Sequence, residues 1–566
     1  MKLFPRVARP PADAVNCRPV EGLLNLSIDA GASRPHQTGF VLVAILVVIL
    51  LASMVAMSLL FRVNAEQTAT SASNGGDQAW AAAMSGVQEA IRAAQAAVSG
   101  SVEIEDNPAL FRERLMFHDG ADAWYFSVFA PPTDELRAEA RFGLAEEAGK
   151  LNLNLADESM LGKLPRMSPS LVQAALDFMD ADNIPRPEGA EQEYYDALPQ
   201  PYLIRNGPLE TLDELLLVRG FTPSLLYGED ANLNFRLDPN EDDGEEQFPI
   251  DNKDGRLNAG LAEFLTVSTY EPNLDKLGAP RLNVNEAVAV FPDGLPPGLT
   301  NYLTALRENQ VKLRHPSELL EARGKFKLGG AGVEVELSSG VGKEELSMVL
   351  DRFKVDEAPR VSGLINANIA SIAVLQTVDG IDEILAESIV SGRNNLSPEL
   401  RQSIAWLYHQ GVVDAAKFKE IAPRLTAGCF QFSFHVVGYG VPSGRYRVLD
   451  VGIDIGGGNP AITRMRDITR LGLPFPIDIN KPSPSKTSSD TRPSVGPIQQ
   501  RFSAGMKRSQ GAGKFPFPSP TLDHTPGTIV QRAVPIVLSG DGSRSWLTEH
   551  PGRTRSLMKR SEVRHG

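Results

Sequence analysis

Arg34 to Phe61 reads RPHQTGFVLVAILVVILLASMVAMSLLF, and the fold turns on what this stretch is. Phe40 to Phe61 is a run of 22 residues without a charge, with Ser53 and Ser58 its only polar side chains. As a helix it spans about 33 Å, enough to cross a bilayer core of roughly 30 Å. A cleaved secretory signal is the competing reading, because Val63-Asn64-Ala65 could serve as a small-residue cut site. Signal cores run only about 7–15 residues, however, and Arg62 would sit between core and cut. Length therefore favours a membrane span. Upstream, Lys2, Arg6, Arg9, Arg18 and Arg34 outnumber Asp13, Glu21 and Asp29, which favours a cytoplasmic N-terminus.

Beyond the span, Trp80, Met84, Val87, Ile91 and Val98 recur at helical spacing and predict an amphipathic continuation, with a kink at Gly75-Gly76. An apolar helix running into a half-buried one, with Gly39-Phe40 at its start, resembles the N-terminus of type IV pilins and pseudopilins. The resemblance implies cleavage by prepilin peptidase between Gly39 and Phe40. Ala44 departs from the common pilin pattern, since most pilins carry a glutamate at the fifth residue after the cut. A buried carboxylate at that depth is costly and needs a partner, so a subunit without one makes no such pairing. Within pseudopilins this absence resembles the protein K family, the large minor subunit of type II secretion systems. That family implies a place at the pseudopilus tip. Its implied partners are other minor pseudopilins, the major pseudopilin, prepilin peptidase and the inner-membrane assembly platform.

The rest of the chain is consistent with that layout. Trp124–Ala130 and Ala138–Glu146 read as strands. Much later, Phe430–Gly440 and Arg445–Ile455 read as a hairpin across Pro442-Ser443-Gly444, and Ala461–Ile468 adds a further strand. The expected fold class is α+β: a pilin-like helix and small antiparallel sheet, interrupted by a large, mainly helical insertion. The resemblance to protein K implies such an interruption. The divisions expected are a leader at 1–39, a transmembrane helix at 40–61, the helix continuation and first strands at 62–150, the insertion at 151–426, the returning strands at 427–475 and a Pro/Ser-rich basic tail at 476–566. From Lys481 onward the chain carries a net +9, so residues 1–480 carry −23 of the overall −14. A strongly acidic body is a poor partner for nucleic acid and a good one for cations. Removal of the leader would take Cys17 with it and leave Cys429 without a partner for an intrachain disulfide.

The insertion contains a repeat. Leu151–Ala156 (LNLNLA), Leu282–Ala287 (LNVNEA) and Ile365–Ala370 (INANIA) share an apolar-Asn-apolar-Asn-x-Ala pattern. Asparagines ahead of helices predict N-caps. Thr211–Gly220 (TLDELLLVRG) and His315–Gly324 (HPSELLEARG) repeat a second element. The third repeat continues LQTVDGIDEILAESIVSGR, which resembles a helix-hairpin-helix. DNA-binding hairpins offer a Gly-x-Gly backbone to phosphate, but here Asp382 and Glu383 follow Gly380 and would repel it. A membrane-anchored DNA-binding protein of a competence-like system is the alternative reading, and these carboxylates weigh against it.

Two acidic stretches are candidate cation sites. Against a twelve-residue EF-hand loop, Asp230, Asn232 and Asn234 take positions 1, 3 and 5, the Arg236 carbonyl takes 7, Asp238 takes 9 and Glu241 is the terminal acid. Position 6 should be glycine and is Phe235, whose left-handed backbone costs about 1–2 kcal/mol. Asp251–Asn258 (DNKDGRLN) is a weaker echo without a terminal acid. The second stretch, Ala175–Tyr202, crowds Asp177, Asp180, Asp182, Glu188, Glu191 and Glu193 around a Pro-rich bend and resembles a protein K segment associated with calcium. Asp180, Asp182 and Glu191 are its candidate ligands. For each stretch the plain alternative is a solvated acidic loop. Catalytic patterns are missing: the eight histidines lack companions at metal spacing, and no nucleophilic serine motif or phosphate-binding loop occurs. Asp454–Pro460 is glycine-rich but reads as a turn. The expected role is a non-catalytic assembly subunit with calcium as its cofactor.

Overall fold

The computed structural model describes residues 38–98, 100–132, 140–286, 291, 294–328 and 333–478. The chain divides into Met1–Thr487 and Ser488–Gly566, and every described residue lies in the first. The expected leader before Thr38 and the tail from 479 on lie outside the described residues. The first element is a helix of 61 residues, Thr38–Val98. It passes through Gly75-Gly76 as one continuous helix. Its apolar part is long enough to cross a membrane, with a mean hydropathy of 2.9 and none of it buried.

The helix then lies on an antiparallel sheet in the order Arg114–His118, Ala123–Phe129, Gln431–Val441, Tyr446–Asp454 and Ala461–Asp467. The short strand Ala145–Glu146 also pairs with the central strand, at Phe432 and Ser433. Where a strand was expected over Ala138–Glu146, residues up to 139 lie outside the described set and only Ala145–Glu146 is strand. Arg114–His118 was not foreseen, because its burial is weak and its alternation poor.

The helix meets the sheet through small residues. Ala79, Ala82, Ala83, Val87, Ala90, Ala93 and Ala94 are fully buried, while Trp80 and Val98 stay 36% and 53% exposed. The expected stripe of large residues is therefore displaced, with Val87 its one fully buried member. Close approach explains the displacement. A Cβ on Gly438 of the central strand would lie 2.2 Å from the Ala79 carbonyl oxygen, and one on Gly86 would lie 2.6 Å from Val436. Helix and strand backbones touch there, and only alanine and glycine fit between them.

In the insertion each asparagine repeat opens with a two-residue strand rather than a helix. Leu151–Asn152 pairs in parallel with Leu265–Thr266, Leu282–Asn283 with Phe353–Lys354, and Ile365–Asn366 with Leu425–Thr426. Each segment thus closes on itself. The first asparagine accepts the N–H of the second, as in Asn152 to Asn154 at 3.1 Å. The second asparagine staples the closure. Asn154 donates to the Leu209 and Val267 carbonyls at 2.9 and 2.8 Å. Asn285 donates to Leu313 and Val355, both at 2.8 Å, and accepts the Leu313 N–H at 2.9 Å. Asn368 donates to Arg401 and Ala427 and accepts the Trp406 indole N–H. The N-cap reading thus holds for the first asparagine only, over a short turn such as Leu153–Leu155. The first and third segments share one apolar core, and the second has its own around Leu303, Leu319 and Phe353.

Asn285→Ala removes three hydrogen bonds and strands two carbonyls and an N–H. It should cost about 2–4 kcal/mol in urea denaturation. A change below about 0.5 kcal/mol would show that the staple is ornamental.

Candidate functional site

The loop Asp230–Glu241 is built around its first and last acids. Asp230 is 2% and Glu241 1% exposed. Asp230 accepts the N–H groups of Asn234 and Phe235 at 2.9 and 3.0 Å. Glu241 accepts those of Ala231 and Asp238, both at 3.1 Å. Leu233 and Phe235 both have positive φ, 54° and 60°, so the sharp turn expected at position 6 is made without glycine. Asn232 and Asn234 each donate an amide N–H to Asp238 at 2.8 Å. Arg236 donates its N–H to Asn234 Oδ1 at 2.7 Å. An amide can be turned about its last bond, so both asparagines could present oxygen in place of nitrogen to a cation.

Burial is what makes this loop electrostatically unusual. It pushes the Asp230 carboxyl up to about 6, with Asp238 adding to the rise against the N–H groups of Phe235 and Asn234. Burial likewise pushes Glu241 up to about 7, with Asp230 and Asp238 contributing. Two buried acids and a third nearby suit a hard cation with oxygen ligands, whose charge would reverse these shifts. Asp251 forms a separate turn, accepting the N–H groups of Asp243 and Gly244, and lies beside the buried Glu229.

In the acidic bend, Asp177, Asp180 and Glu191 each place a carboxylate oxygen within 4.8 Å of the others. Asp182 is exposed instead, its Oδ1 taking the Ile184 N–H at 2.8 Å. Asp177 is thus the member of the group that spacing alone did not single out. It is fully buried on the helix Pro169–Met179. Arg186 bridges Asp177 at 2.5 Å and Asp180 at 2.7 Å. Both oxygens of Glu191 are buried without a hydrogen-bond partner. Burial raises its pKa, and Asp177, Asp180 and Asp182 raise it further. An orphaned carboxylate beside two others is the arrangement a cation would satisfy. Gly189 is required here, since a Cβ would fall 1.9 Å from Asp177 Oδ2.

A third polar cluster ties the insertion to the sheet and was missed in the sequence. Buried Asp450 receives Arg464 at 2.9 Å and Arg466 at 3.2 Å, with His435 Nε2 at 3.6 Å. Arg466 reaches on to Asp213, which also accepts the Tyr227 hydroxyl. Burial holds His435 down at about 4, so it is neutral and contributes no charge to the pairings. These residues lie up to 253 positions apart, and no local spacing signals them. Ala44 is exposed on the apolar part of the long helix, which begins at Thr38 and so includes Gly39 and Phe40.

Residues 149–227 match the family model for type II secretion system (T2SS), protein K. This segment contains the first asparagine repeat and the whole acidic bend. Five chains of solved structure also match. One is in the crystal structure of the GspK-GspI-GspJ complex from the type 2 secretion system of enterotoxigenic Escherichia coli. That match has 12% identity and a TM-score of 0.34, and covers 72% of this chain and 99% of the other. No curated protein matches.

Proposed function

We propose that this chain, whose residues 149–227 match the protein K family model, is a member of that family and the non-catalytic tip subunit of a type II secretion pseudopilus. It would initiate pseudopilus assembly and so support export of folded proteins across the outer membrane. The observation that carries the reading is the protein K match, on a chain whose exposed apolar helix continues onto a small sheet. After cleavage between Gly39 and Phe40, the apolar part of the helix would hold the subunit in the inner membrane, with its body in the periplasm. On assembly the same helix would pack against neighbouring pseudopilins. Ala44 leaves no carboxylate to pair with a subunit above it. The insertion, attached beside the sheet, would obstruct such a subunit by bulk. Other minor pseudopilins, the major pseudopilin, prepilin peptidase and the assembly platform are the partners this role requires.

Calcium is the proposed cofactor. Asp230, Asn232, Asn234, the Arg236 carbonyl, Asp238 and Glu241 would hold one ion, and Asp177, Asp180 and Glu191 would contribute to a second site. Its chemistry there is charge neutralisation, which relieves the cost of burying carboxylates. At the second site Arg186 already supplies part of that charge and would have to yield some of its contacts.

Deleting the gene should abolish secretion of type II cargo, and the wild-type gene should restore it. A variant with two charges placed in Phe40–Phe61 should not restore it. Normal secretion by the deletion strain would contradict the proposal.

Calcium should raise the melting temperature of the detergent-solubilised chain relative to chelator. At a hundredfold excess over Kd the gain is worth about 2.7 kcal/mol per site. Unfolding returns Asp230 and Glu241 from about 6 and about 7 toward 3.8 and 4.5. Without calcium the native state therefore loses stability as pH rises through those folded values. The calcium-dependent gain should accordingly grow from about pH 5 to about pH 7.5. Glu241→Gln should cut it, because the terminal acid normally supplies two oxygens. An unchanged melting temperature with no bound calcium by elemental analysis would remove calcium from the account.

A further inference from the structure

Position 6 of the Asp230–Glu241 loop is where the cation-loop pattern calls for glycine and the chain has Phe235. The backbone behaves as a glycine would, with φ at 60° and its N–H given to Asp230 Oδ2 at 3.0 Å. The side chain leaves the loop altogether. Its ring lies 4.4 Å from the His435 ring at an interplanar angle of 30°, and meets Phe129 edge-on at 6.1 Å. Phe129 and His435 are partners in the strand ladder and touch edge to face at 5.5 Å. They are 1% and 5% exposed. Phe235 therefore sits on a cross-strand pair formed by the strand that precedes the insertion and the strand that follows it.

We propose that Phe235 is the coupling residue through which cation binding in the Asp230–Glu241 loop clamps the insertion onto the sheet. This rests on the cation reading above and goes beyond it. Asp230 holds the Phe235 N–H, so an ion held by Asp230 and Glu241 restricts the backbone from which the ring projects. Once that backbone is fixed, the ring is fixed against Phe129 and His435. Coupling is reciprocal: the aromatic seat holds Phe235 in its left-handed conformation and so preforms the loop for the ion. The strain at position 6 is thereby offset by contacts outside the loop. The Arg466–Asp213–Tyr227 contacts join the same two parts without involving the loop, so the clamp is graded rather than all-or-none.

The test is hydrogen exchange on the detergent-solubilised full-length chain, with calcium chloride and with chelator, beside calorimetric titration of calcium. In the wild type, calcium should slow exchange severalfold in Ala123–Phe129 and Gln431–Val441. Phe235→Gly relieves backbone strain but forfeits the aromatic seat that preforms the loop, so its calcium affinity should stay within about tenfold of the wild type while most of that slowing is lost. Phe235→Tyr should retain both the binding and the slowing. If Phe235→Gly does not melt cooperatively, Phe235→Leu decides, with binding kept and slowing reduced. Calcium binding without slowing in the wild type overturns the coupling and leaves the cation site standing. So does full slowing in the variant that replaces the ring. No calcium binding by the wild type overturns both.

Discussion

The ladder between Ala123–Phe129 and Gln431–Val441 joins segments roughly three hundred residues apart, and the rest of the structure depends on it. Without it the long helix has no sheet to lie on and the insertion has no base. Closing so long a loop is less costly than its length suggests, because the entropy penalty grows only logarithmically. The insertion reduces the penalty further by folding in closed segments. Each asparagine repeat brings its own ends together through a parallel bridge before the next begins. The first and third segments then pack into one core, which returns the chain to the sheet beside its point of departure.

Polar contacts at this base fix orientation where apolar packing alone would leave it loose. Glu147 accepts from Ser433 of the central strand and from Lys150 at 3.2 Å. Tyr270 donates to Asp454 at 2.7 Å, while Gln431 accepts the Tyr270 N–H at 3.0 Å. Further along the same ladder Asp450 pairs with Arg464 and Arg466, and Arg466 reaches Asp213. The sheet is therefore gripped from the insertion at several points, and the Asp230–Glu241 loop is one of them through Phe235. The buried Cys429 thiol, pushed up by burial, adds no crosslink.

Much of this was legible in the sequence because it is local. The 22-residue apolar run, the hairpin at Pro442-Ser443-Gly444 and the spacing from Asp230 to Glu241 are all short-range patterns. Local alternation likewise placed Ala123–Phe129, Gln431–Val441, Tyr446–Asp454 and Ala461–Asp467 to within a residue or so, while Arg114–His118 was missed. The contact face of the long helix was misread because size was taken as the sign of burial. Gly438 and Gly86 instead let backbones meet, and alanines became the core. The second asparagine of each repeat was read as a cap because capping is the local use of asparagine; its bonds to residues such as Leu209 and Val267 are long-range. Asp177 was passed over for Asp182, since the turn that buries one carboxylate and exposes the other is set by Arg186 and Gly189 together.

Under the proposed function the long helix holds the chain in a membrane and then in a filament, and the insertion ends the filament. Electron microscopy of isolated pseudopili, with a label in the insertion, tests this most directly. The label should mark one end of each filament and be absent from the shaft. Labels distributed along the shaft would contradict the account.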